Sequence, residues 1–96
     1  MSPKNKKKLY IQRKKLDNLD KKLINIIKIR TEIIKTVISI KENKKDIVDK
    51  KRISIILKKI SSKSKKNGID PKITVKIWTA MIKAYIEYEF RNFKNK

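Results

Sequence analysis

Five residues in this sequence have the types and spacing to handle an anion. Arg30 interrupts an apolar helical stripe, with Ile26 and Ile27 on the turn before it and Ile33 and Ile34 on the turn after. Lys41 follows eleven residues later. At about 100° and ~1.5 Å per residue it falls within ~20° of Arg30 and ~16 Å further along the axis, so both side chains must converge to share one ligand. Arg13 lies ~25 Å and ~100° away from Arg30 and reaches that ligand only from an antiparallel partner helix. Arg52 opens a helix in Asp49-Lys50-Lys51-Arg52-Ile53, and Glu89 follows Tyr85 by four residues on an apolar stripe. Each has a plainer reading. Arg30 and Lys41 can snorkel to solvent from a stripe edge, Arg52 can belong to a solvated charge run, and Glu89 can be a buried partner of some cation. Together, four cations and one carboxyl lining a dry cavity suit a reaction that needs its anionic substrate bound, oriented and stabilised as charge develops.

Other chemistries are excluded by composition. The 96 residues contain no Cys and no His. Thiolate nucleophiles, disulfides, Cys/His metal sites and His-based triads are therefore absent, and neither metal nor cofactor is expected. Lys and Arg number 29 against 9 Asp and Glu, a net charge of +20. Only Arg13, Arg30, Arg52 and Arg91 are arginines, and Ile occurs 19 times. A bias to Lys, Ile and Asn also follows from AT-rich coding, so charge favours anionic partners without choosing among them.

The elements that must position these residues are helices. Gly occurs once and Pro twice, which favours long uninterrupted helices over a loop-rich β fold. Residues 1–8 read as a disordered basic tail, and residues 9–96 as one helical domain. A first helix is expected from Leu9 to about Lys41, with Leu16, Leu19, Leu23, Ile26, Ile27, Ile33, Ile34, Val37 and Ile38 at helical spacing. A polar loop follows at 42–46. A second helix starts near Asp49, carries Ile53, Ile56, Leu57 and Ile60, and ends before Asn67-Gly68. Asp70-Pro71 starts a third helix, with Asp as N-cap and Pro in the first turn, running to about Phe93. Its stripe is Ile77, Trp78, Met81, Ile82, Tyr85, Ile86 and Glu89. No internal repeat is apparent. A first helix of ~33 residues is ~50 Å long, against a radius of gyration of ~12–13 Å for a compact chain of this size. It would overhang a monomer, so a homodimer with a two-fold axis is expected. No apolar run nears the ~20 residues of a membrane span, and no hydrophobic signal segment follows the basic N-terminus. A cytoplasmic all-α protein with no membrane partner is the expectation.

From Leu9 to Phe93 the chain resembles the all-helical chorismate mutases (type II, prokaryotic-like). The resemblance is carried by Arg13-Lys14-Lys15-Leu16-Asp17-Asn18-Leu19-Asp20, Leu23 to Arg30, Lys41, Asp49-Lys50-Lys51-Arg52 and Asn67-Gly68-Ile69-Asp70. The ordered set is more specific than any one piece. It implies an intertwined dimer of three-helix chains and the pericyclic conversion of chorismate, a dicarboxylate, to prephenate in aromatic amino acid biosynthesis. It implies that Arg30 and the partner's Arg13 hold the carboxylates. Lys41 and Glu89 would donate hydrogen bonds to the ether oxygen, Arg52 would add positive charge near the breaking bond, and Asp49 would contact the substrate hydroxyl. Val37, Ile56, Ile82 and Ile86 would form the apolar wall.

Three positions depart from that pattern. Ile53 stands where typical mutases carry Glu, Tyr85 where many carry Ser, and Glu89 where bacterial members usually carry Gln. A glutamate donates only when protonated, which implies activity rising towards acid pH. Ile53 and Tyr85-Ile86, with Phe90 and Phe93, are instead similar to the isochorismate-pyruvate lyases of salicylate synthesis, which share this fold and these cations. Two other classes compete. A basic helical nucleic-acid-binding module explains the charge, but its lysines are spread over all three helices rather than gathered on one, and its aromatics lie on an apolar stripe, so nucleic acid is disfavoured. A degenerate family member serving as a dimerisation or regulatory domain would explain Ile53.

Overall fold

The computed structural model describes residues 1–94. The chain is all-α: α1 (Pro3–Ile40), a single 3₁₀ turn (Lys44–Asp46), α2 (Lys50–Lys66) and α3 (Pro71–Asn92), with no strand among the described residues. The domain expected over 9–96 ends on two residues outside the described set.

The 1–8 segment corrects the expectation of a disordered tail, because α1 already begins at Pro3. Ser2 starts it: its hydroxyl accepts from the Asn5 backbone N–H at 3.2 Å and its carbonyl from that of Lys6 at 3.0 Å. Pro3 has no N–H to leave unpaired at a first helical position, and Lys is a good helix former. The basic residues therefore extend the helix to 38 residues, ~57 Å.

The chain divides into two units, residues 1–33 and 34–96. The first is a stretch of α1 alone. Leu16, Leu19, Leu23, Ile26 and Ile33 are each more than half exposed there, as the length argument requires of an uncovered helix.

The second unit holds the last turns of α1, the 3₁₀ turn, α2 and α3, with α2 packed on α3. On α2, Ile53, Ile56, Leu57 and Ile60 are half-buried. On α3, Trp78, Met81, Ile82, Tyr85 and Ile86 are half-buried, whereas Ile77, assigned to the same stripe, is exposed. The link between the two helices is short and closed by its own hydrogen bonds. Gly68 takes φ of 68°, which a side chain would disfavour. The Ile69 N–H donates to Ser64 O at 2.8 Å and the Gly68 N–H to Lys65 O at 3.2 Å, a Schellman end to α2. Asp70 then caps α3 by accepting from the Lys72 N–H at 2.9 Å. Buried Ser64 shares a 2.6 Å hydrogen bond with Thr74 and donates to Ile60 O at 2.6 Å, so no hydroxyl is stranded where the helices meet. The apolar core of one chain is thin. Ile38 and Ile47 are its buried hydrophobic residues among those described.

Candidate active site

Lys41 and Glu89 are brought together. Lys41 is the first residue past α1, and its backbone N–H still donates to Val37 O at 3.1 Å, so the helix fixes its position. Its Nζ lies 2.9 Å from Oε1 of Glu89, 48 residues away on α3. The Glu89 side chain is 7% exposed and that of Lys41 21%. A carboxylate on an apolar helix face needs a cation, because burying it unpaired would cost several kcal/mol. Lys41 is that cation.

A second contact orients the ammonium. Lys41 Nζ also donates to Ile47 O at 3.3 Å. Ile47 is 3% exposed, so its side chain anchors the backbone that presents this carbonyl. The 3₁₀ turn before it is closed by Asp46, whose Oδ2 accepts from the Asn43 N–H at 3.1 Å. The position of Ile47 was missed from sequence; the signal was there in Ile47-Val48, an apolar pair inside a polar stretch. Two of three ammonium protons are thus committed, and one remains for a ligand oxygen. Glu89 accepts in this arrangement. It donates to a ligand only after taking up a proton.

The other candidates fall into two groups. Asp49 is the N-cap of α2, and its Oδ1 accepts from the Arg52 N–H at 3.0 Å. One carboxylate oxygen is therefore spent on the cap. Asp49 also lines an open recess with Lys45, Asp46, Val48 and Lys50, apart from the Lys41–Glu89 pair. Arg52 is exposed on the first turn of α2. Val37, Ile53, Ile56, Ile82, Tyr85 and Ile86 are half-buried in the same unit. Tyr85 sits one helical turn before Glu89. Arg13 and Arg30 belong to the first unit, where Arg13 is exposed and Arg30 half-buried on α1. No group of metal-binding side chains forms among the described residues, and no helix among them is long and apolar enough to cross a membrane.

Residues 12–90 match the family model of chorismate mutase type II. No curated protein and no solved structure matches the chain. The matched span runs from just before Arg13 to just after Glu89 and takes in all three helices. A match over most of the chain, on a three-helix all-α architecture, places this protein in the chorismate mutase type II family.

Proposed function

We propose that the protein converts chorismate to prephenate in a pocket that two copies of the chain complete. The observation that carries this reading is the Lys41–Glu89 pair at 2.9 Å, built inside the family-matched span. The rearrangement breaks one C–O bond and forms one C–C bond within a single molecule. No proton or electron enters or leaves, so the protein has only to hold the substrate folded and stabilise charge. Negative charge develops on the ether oxygen as the C–O bond stretches. The remaining Lys41 N–H donates to it, and Glu89 adds a second donor only in molecules where its carboxyl carries a proton. Arg52 adds positive potential, Arg30 and the partner's Arg13 hold the two carboxylates, and Asp49 takes the hydroxyl with the oxygen it does not use as a cap.

The dimer is supported by the exposed stripe of α1. A helix of this length with Leu16, Leu19, Leu23, Ile26 and Ile33 in water lacks an apolar partner. A second copy supplies one with two-fold symmetry and brings the partner's Arg13 to the site. The cytoplasm fits such a chain, which has no Cys to pair.

Ile53 and Tyr85 favour a second reading, isochorismate-pyruvate lyase. Both are half-buried in the unit that holds Lys41 and Glu89. The same cations would then stabilise an elimination that moves one hydrogen from the ring to the departing enolpyruvyl group, leaving salicylate and pyruvate. Purified protein assayed separately with chorismate and isochorismate decides. Faster prephenate formation supports the mutase. Faster pyruvate and salicylate formation makes Ile53 and Tyr85 the mark of a lyase. No turnover of either substrate contradicts both.

A further inference from the structure

The lysines of α1 have an order that overall composition hides. Lys7, Lys14, Lys21 and Lys28 recur every seven residues, and all four are exposed on one continuous helix within the first unit. Seven residues advance ~10.5 Å and stop ~20° short of two full turns, so the four side chains form one slowly winding ridge ~32 Å long. Lys8, Lys15 and Lys22 form a second exposed column ~100° round the helix. The ridge lies opposite the Leu16, Leu19, Leu23 and Ile26 stripe, so covering that stripe leaves the ridge open.

Cations outnumber acids on this helix. Asp17, Asp20 and Glu32 are the acids among the first 33 residues, and none pairs with a ridge lysine. Lys14 rests over the Tyr10 ring, 5.3 Å from its centroid, a contact that leaves its charge in place. Lys7 and Lys8 precede the family match at residue 12, so the ridge starts outside the part of the chain the family defines.

We propose that this ridge binds the phosphodiester backbone of duplex DNA without reading base sequence. A slowly winding row of charges ~32 Å long spans about one turn of a DNA duplex, ~34 Å. Lysine is a point charge suited to phosphate, whereas base reading relies on arginine or amide forks. A bilayer fits less well. A helix lying on a membrane buries its apolar face, which here would turn the ridge away from the lipid headgroups. The ~34 Å turn is that of B-form DNA, so duplex DNA is the occupant proposed and duplex RNA is an alternative outcome of the test.

The test measures binding of the full-length protein to labelled DNA and RNA duplexes of about two turns, across a salt series. One variant carries K7Q, K14Q, K21Q and K28Q. A control carries K58Q, K59Q, K63Q and K65Q, which remove the same charge from exposed positions on α2. The ridge variant is expected to bind at least about tenfold more weakly than the control, with a log-affinity versus log-salt slope shallower by about one per contacting lysine. Tighter binding to the RNA duplex than to the DNA duplex would overturn the assignment to DNA. Equal losses in the two variants would overturn the proposal, since net charge alone would then explain binding. Binding to vesicles of phosphatidylserine and phosphatidylcholine but not to either duplex would overturn it as well.

Discussion

The two units of this chain solve opposite problems. Residues 34–94 bury a charged pair, Lys41 and Glu89, and arrange an ammonium with a donor to spare. Residues 1–33 leave large Leu and Ile side chains more than half exposed and carry two candidate arginines, Arg13 and Arg30, on that helix. The first problem is solved within one chain; the second calls for another. The difference teaches that a buried ion pair with a spare ammonium proton can be set within one chain, whereas an exposed apolar stripe is completed only by something outside it.

Breaking the stripe should have the largest effect. Leu23→Asp places a carboxylate on the apolar face, and sedimentation should show monomers with turnover below detection. A monomeric variant with wild-type turnover would show that one chain suffices. Arg30→Ala and Lys41→Ala sharpen the comparison, because each should lower kcat/KM about 10²–10³-fold, the effect of losing one preorganised donor. They should differ in stability. Lys41→Ala strands a buried carboxylate and should also cost stability near the lower end of about 3–5 kcal/mol, given partial solvent access. Arg30→Ala strands no buried carboxylate and should shift the denaturation midpoint less. Equal destabilisation by both would erase the distinction between the units.

Glu89 gives a smaller but more diagnostic effect. An ionised carboxylate cannot donate to the ether oxygen, whereas an amide can. Glu89→Gln donates at every pH, so its profile should be flat and its activity at neutral pH higher than wild type. A Glu89→Gln variant no faster than wild type at neutral pH would remove Glu89 from the donor role. Smallest is Ser64→Ala, which removes the hydrogen bond to Thr74 and should cost about 1 kcal/mol in chemical denaturation with unchanged turnover per folded molecule.

Much of this was legible from sequence because helix signals are local. Asp49, Asn67-Gly68 and Asp70-Pro71 mark their boundaries through backbone chemistry acting within four residues, and α2 and α3 begin and end where those residues stand. The N-terminal segment was misread because a lysine run suggests a solvated tail, whereas Ser2 and Pro3 supply a helix start. Glu89 was legible as a carboxyl on an apolar face that needed a cation. That Lys41 would stand beside it followed only from the family resemblance, which sets both on one ether oxygen, since periodicity along one helix carries no information about another 48 residues away. The Ile47 carbonyl was invisible for the same reason: which loop oxygen meets an ammonium depends on how a buried isoleucine seats the turn.

Complementation between chains tests the proposed two-chain reaction centre most directly. Arg13→Ala and Arg30→Ala proteins, each inactive alone, are mixed under conditions where subunits exchange, and prephenate formation from chorismate is followed. Each mixed dimer keeps one intact centre, with Arg30 from one chain and Arg13 from the other, so activity should return to roughly a quarter of wild type at statistical exchange. A mixture that forms heterodimers yet stays as inactive as its parts would contradict a centre built from two chains.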